Sequence, residues 1–265
     1  MGRNIDFSYR TNQIIVLFTL LVAAIGWILT GEISSGLYIG GGVFLTWALS
    51  RELDSKHQYS AFIAAAFSLL NLLYYENVQL LVIFWILLMM RIVNGITGKE
   101  LTVFDIYSVL GFTVYLSFND ENSVYLLIFL LAMTFVTKTR EKAKVVLIAS
   151  GIGLAFFIAE SFFMNYLSFN NIDYLDPITL FVIATLCLSF ILFWFLSKVE
   201  TKDDRGKSVN RSRLLASQML YSATVLLLFF FGDMSLNNLI IYISAILGVA
   251  IYFIGFTLSS RVRSD

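Results

Sequence analysis

The chain has 265 residues, of which 58% are hydrophobic, 16% aromatic and 14% charged, and its mean hydropathy is +0.82. A soluble domain carries about 25% charged residues, so a chain this apolar cannot cover itself with polar surface, and its main solvent is expected to be lipid. The 18 basic and 18 acidic residues cancel, which gives no ground for a nucleic-acid partner. The lone Cys187 excludes an internal disulfide framework and a multi-cysteine metal site.

The opening stretch MGRNIDFSYRTNQ places Arg3 and Arg10 before the first apolar run. No small-residue cleavage site follows that run, so it reads as a retained first helix and not a removed signal peptide. Met1-Gly2 suggests myristoylation, but Asp6 stands where Ser or Thr is needed.

A bilayer core of about 30 Å needs about 20 apolar residues per helix. Ten segments meet or approach this: 12–30, 33–50, 60–75, 77–93, 103–118, 122–137, 145–165, 176–197, 214–232 and 236–258, the third, fifth and sixth being short. The expectation is an all-α polytopic membrane protein of about ten transmembrane helices with short connections. It forms one integral membrane domain over 1–265, with no soluble domain.

Basic residues orient the chain. With the N-terminus inside, Arg3, Arg10, Arg51, Lys56, Arg91, Lys99, the cluster 138–144, the segment 198–213, Arg261 and Arg263 all fall on the inner side, which takes in all 18 Lys and Arg. The outer connections hold acids such as Glu32, Glu76, Asp120, Glu121, Asp173, Asp176 and Asp233. Inner loops are enriched in Lys and Arg, so both termini are expected in the cytoplasm and the protein in the plasma membrane. The second-half inner loops, 138–144 and 198–213, read as solvated charge facing anionic lipid.

The first inner turn, within WALSRELDSKHQYS, concentrates Arg51, Glu52, Asp54, Lys56 and the single His57. If the second helix continues past Ser50, Asp54 and His57 lie one turn apart. They then suit either a metal or an acid/base pair at the membrane surface, although ordinary intrahelical ion pairs use the same spacing. No HExxH or DxxxD spacing occurs, so no metal or cofactor is expected.

The next inner turn, MRIVNGITGKELTVFD, carries Arg91 within a turn of the fourth helix's inner end, where it either snorkels or binds an anion. Asn94-Gly95 sits where a left-handed helix cap belongs. Thr97-Gly98-Lys99 lacks the spacing of a phosphate loop. Thr102 and Asp105 match a capping box opening the fifth helix. If helices two to five are neighbours, Arg51, Glu52, Asp54, His57, Arg91 and Asp105 form one inner rim. Further on, Asp176-Pro177 reads as the N-cap and first position of the eighth helix.

Gly40, Gly41 and Gly42 lie mid-helix in the second segment, with Gly36 completing GxxxG; Gly151 and Gly153 fall at similar depth in the seventh. Ten helices divided five and five give halves 1–120 and 121–265 of opposite orientation, in which these two segments correspond. Paired glycine interruptions point to a carrier's midplane site, and close helix packing is the alternative. Apart from Glu160, toward the outer end of the seventh segment, the depth is lined by uncharged groups such as Thr19, Asn71, Thr113, Ser189 and Ser222. That lining suits a weakly polar or lipid-like molecule better than an ion.

In helix count the layout resembles the drug/metabolite transporter superfamily, which implies a carrier, but no motif of that family accompanies the count. The expected function is therefore a small permease or flippase-like transporter. The alternatives are a membrane-embedded enzyme acting on a lipid-borne substrate at the rim, or an assembly subunit whose partner covers the rim.

Overall fold

The computed structural model describes residues 6–74, 78–97, 99–138, 142–170, 176–232 and 234–262, the side chains as far as 257. Glu76, Gly98, Asp173 and Asp233 of the expected turns, and Arg3, Arg140 and Arg263 of the basic set, lie outside the described residues.

The described residues are all-helical and without strands. They form α1 Arg10–Thr30, α2 Ile33–Leu53, α3 Gln58–Phe67, α4 Leu80–Asn94, α5 Val103–Asn119, α6 Val124–Lys138, α7 Ala143–Ala159, α8 Pro177–Leu196, α9 Arg211–Phe231 and α10 Leu236–Val262. A 3₁₀ segment, Ser68–Leu73, continues α3, and a π-turn, Glu160–Met164, continues α7. Six of the helices are long and apolar enough to cross a membrane: α1, α2, α7 with its π-turn, α8, α9 and α10. The other four apolar helices run 58–73, 80–94, 103–119 and 124–138. At about 1.5 Å per residue they are shorter than a bilayer core is thick. The fourth segment, expected to be of ordinary length, joins the short ones.

Local chemistry sets the boundaries. Asp176 caps α8 by accepting hydrogen bonds from the amides of Ile178 and Thr179, both at 3.1 Å, with Pro177 at the first helical position. In α5 the amide of Asp105 donates to Thr102 Oγ1 at 3.1 Å, and the amide of Thr102 donates to Asp105 Oδ2 at 2.9 Å. Both were legible in the residues. Gly95 follows α4 at φ 65°, in the left-handed region that a side chain disfavours. Asn210 caps α9 from its side chain, a cap the basic loop around it concealed.

The chain falls into two compact units, one of Gly2–Ile83 with Ser235–Asp265 and the other of Phe84–Met234. The halves 1–120 and 121–265 are a separate division of the chain.

In the terminal unit α1 lies along α2, and α3 packs between α2 and α10. Its centre is Ile15, Val22, Ile39, Val43 and Ala65, with Phe18, Phe44 and Trp47 against them. In the central unit Trp85 is wholly buried: its Nε1 donates to Thr113 Oγ1 at 2.9 Å, and its ring meets that of Tyr125 edge-on. Ser189 and Ser222 bond each other at 2.6 Å. The depth is polar but internally paired in these places.

Outward faces are apolar. Only 17% of α1's most apolar stretch is buried against 56% of α2's, and side chains such as Leu17, Ile28, Phe162 and Phe163 stand open. Exposed apolar surface on that scale is stable against hydrocarbon and not against water.

The glycines behave otherwise than a break requires. Helices α2 and α7 run unbroken through Gly40, Gly41, Gly42, Gly151 and Gly153, so the expected interruptions are corrected. A Cβ on Gly40 would stand 2.7 Å from Ala23 Cβ and 2.9 Å from Thr19 O, and one on Gly36 would strike Ala23 O and Trp27 N. Missing side chains there bring α1 and α2 backbones together. Gly41 meets the tip of Leu80, Gly42 the tip of Ile241, and Gly153 the ring of Phe129, while Gly151 faces open space. The actual irregularities lie elsewhere, at Ser68–Leu73 and Glu160–Met164.

Candidate functional site

The α2–α3 turn of the terminal unit holds the densest polar arrangement. Helix α2 continues to Leu53, as the spacing argument required, and Asp54 follows as its C-cap, donating its amide to Ser50 O at 2.8 Å. Asp54 is 2% exposed. Its Oδ1 accepts the amide of His57 at 3.2 Å, and both carboxylate oxygens lie 3.1 Å from His57 Nδ1. Ser60 Oγ donates to His57 O at 2.7 Å, which closes the turn onto the first residues of α3.

The imidazole is held from the other side by α10. Its ring centroid is 5.2 Å from that of Tyr252 and 5.1 Å from that of Phe256. With Nδ1 turned to the carboxylate, Nε2 becomes the second functional atom of the ring, and it is buried without a partner. Ser50 Oγ and Ser55 Oγ are likewise buried and unpartnered. A carboxylate that orients one imidazole nitrogen and leaves the other available is the arrangement of a general base. Among the described residues no three His, Cys, Asp or Glu side chains gather as for a metal.

Burial pushes the Asp54 carboxyl above the ordinary value of 3.8, opposed by the neighbouring His57 and by hydrogen bonds from His57 and Ser60. The folded carboxyl therefore keeps its proton to higher pH than the unfolded one. Its contribution to stability is full below 3.8 and is lost as pH rises through the folded value. Asp54→Asn is expected to flatten this decline, so that thermal melts from about pH 4 upward vary less than those of the wild type. An unchanged slope would show that Asp54 is as solvated folded as unfolded.

Arg51 and Glu52 belong to the same turn, Arg51 half-buried and Glu52 only 1% exposed. Arg91 and Asp105 belong to the central unit, where they line a shallow surface cleft with Gly95, Lys99, Glu100 and Arg213. From the residues alone Arg213 is only loop charge. It closes α4, Nε donating to Val93 O at 2.9 Å and an outer guanidinium nitrogen to Ile92 O at 3.3 Å. The six rim candidates are thus four on one turn of the terminal unit and two in a cleft of the central unit.

Two features carried weaker signals. Asn71 is fully buried on the 3₁₀ segment, and neither end of its carboxamide has a partner. Glu160 is fully buried at the start of the π-turn, Oε2 against Ser117 Oγ and Oε1 without a partner. Both stood out in the sequence as polar groups at depth, but nothing in their neighbours announces the change of helix type. No family model, curated protein or solved structure matches this chain.

Proposed function

We propose that the protein is a multi-pass membrane protein of about ten spans with cytoplasmic termini, set in the plasma membrane, and that it carries a weakly polar or lipid-like solute. The segregation of all 18 Lys and Arg to alternate connections supports the threading. The short helices 80–94, 103–119 and 124–138 fit a span with little tilt and local thinning of the bilayer.

One observation carries the transport reading. The third apolar segment changes from α-helix to 3₁₀ at Ser68, and Asn71 lies there with its carbonyl and amide both buried and unsatisfied. An unmade buried hydrogen bond costs about 1–3 kcal/mol. A solute or water passing this segment supplies the missing partners. The segment packs on α10 and α2. At the start of α10, Asn237 Nδ2 donates to Tyr74 O at 2.7 Å and Asn238 Oδ1 accepts the amide of Gln79 at 2.9 Å. Asn238 Nδ2 is also buried without a partner. These groups are uncharged amides, which suit a neutral polar solute and offer nothing to balance an ion. The carrier reading therefore rests on this segment and not on the glycines, of which Gly36 and Gly40 bring α1 and α2 together.

The test begins by comparing lipids and metabolites of cells with and without the protein, then following the molecule that changes into vesicles. Asn71→Leu, of similar size and without the amide, is expected to fold and to slow its movement at least tenfold. Movement at the wild-type rate would remove Asn71, and with it the carrier reading.

The second reading is an enzyme acting at the membrane surface, favoured by the unpartnered Nε2 of His57 beside Asp54. It is distinguished by the same molecule: chemical conversion that Asp54→Asn removes and Asn71→Leu leaves intact supports it over transport.

A further inference from the structure

We infer that the central unit contains a proton-binding site, in which Glu160 is held as a neutral carboxylic acid by Ser117 and Asn122. Too few hydrogen-bond donors surround Glu160 for it to be ionised. Glu160 is 0% exposed, as is Ser117. Ser117 Oγ lies against Glu160 Oε2 and, on its other side, 2.9 Å from the backbone carbonyl of Asn122. A serine hydroxyl has one hydrogen to donate. If Glu160 were ionised, that hydrogen would face three acceptors: Oε1, Oε2 and Asn122 O. Whichever took it, a buried carboxylate or a buried carbonyl would be left bare.

One proton on Glu160 resolves the count. Oε2–H donates to Ser117 Oγ, and Ser117 O–H donates to Asn122 O, so that both links are made and only the carbonyl oxygen Oε1 is left open. Among the described residues, the neighbouring donors are committed elsewhere. Ser123 and Ser161 bond each other at 2.9 Å. The amide of Ser123 is spent on Tyr166 O and that of Tyr166 on Glu160 O. The side-chain amide of Asn122 donates to Phe231 O at 2.7 Å.

Nor, among the described residues, does a cation approach. On the packed elements α5, α6, α7 and α9, the basic residues Lys138, Lys142, Lys144, Arg211 and Arg213 lie at the helix ends remote from this cluster, as does Asp105. Near it, on the α5–α6 turn, are the acids Asp120 and Glu121, and Asp120 accepts the hydroxyl of Tyr125 at 2.6 Å. Like charges disfavour a second carboxylate beside them. The π-turn contributes placement: it begins at Glu160 and ends at Asn165 with φ 58°, while Phe162 and Phe163 stand outward. A wide turn of this kind often marks a functional position in a helix, and an ionisable side chain at such depth is retained for a role.

This site stands whether or not the protein is a carrier. It is tested by infrared spectroscopy of the purified protein in lipid at neutral pH, with glutamate ¹³C-labelled at the side-chain carboxyl. A protonated-carboxyl stretch is expected that Glu160→Gln removes and Ser117→Ala shifts to higher frequency, because the acid loses its acceptor. If Glu160→Gln does not fold, the Ser117→Ala shift decides. Absence of a protonated glutamate band in the wild type overturns the inference. So does a band that neither variant moves, and so does a band that sodium abolishes at constant pH, which would make the site a cation site.

Discussion

Gly248→Ala is expected to lower the melting temperature by about 10 °C or to prevent recovery of folded protein altogether, although it adds only one methyl group. A Cβ at 248 would stand 2.5 Å from the backbone nitrogen of Ala64 and 2.6 Å from its Cα and Cβ. Overpacking in a core typically costs about 1–3 kcal/mol, when the struck atom is the movable end of a side chain. Here it is helix backbone, so α3 or α10 must shift as a body. For a chain of this size about 3 kcal/mol corresponds to roughly 6–12 °C. Gly151→Ala is the matched control: nothing lies within 4 Å of its added Cβ, and the gain in helix propensity is about 1 kcal/mol at most. It is expected to melt at or slightly above the wild-type temperature. Size-exclusion recovery after graded heating reads both. Equal melting of the two variants would mean that α3 and α10 do not meet at this point.

Arg213→Met is expected to cost about 3 kcal/mol. The last carbonyls of a helix have no partners of their own, and in α4 two of them, Ile92 O and Val93 O, are reached by one guanidinium. Hydrogen bonds to a charged donor contribute about 1.5–3 kcal/mol each, and a cation is favoured at a helix C-terminus. Methionine keeps the length and apolar stem but none of the donors. Arg213→Lys is expected to restore less than half, because a single ammonium does not reproduce a fork aimed at two oxygens. A thermal or denaturant melt in detergent measures the three proteins. Indifference to Met would show that water already serves those carbonyls.

What the residues disclosed and what they hid follow the range of the forces involved. Apolar length and short-range caps placed the helices: the Thr102–Asp105 box, the Asp176–Pro177 start and Gly95 depend on neighbours within a turn. The continuation of α2 to Leu53 put Asp54 and His57 in contact as the spacing suggested. The break at Ser68 was not legible, since SLLNLL is as apolar as the helix before it and carries neither glycine nor proline. The π-turn at Glu160 was hidden for the same reason. The glycines left two readings open because absence of a side chain serves a close approach as well as a break, and only the partner helix decides between them. The clasp on His57 was invisible because Tyr252 and Phe256 arrive from the far end of the chain.

That clasp, with the Gly248–Ala64 contact, has a consequence for how the molecule is made. Helices α1 to α3 leave the ribosome early, yet the face of α3 that carries Ala64, and the ring of His57, are completed only by α10. Every residue of Phe84–Met234 is synthesised in between. The early helices must therefore wait in the bilayer with an unfinished seam, and a contact so distant along the chain forms slowly. During that interval the small-residue face of α3 is open to any other helix inserted nearby, so mispairing in the terminal unit has a window that closes only when α10 arrives.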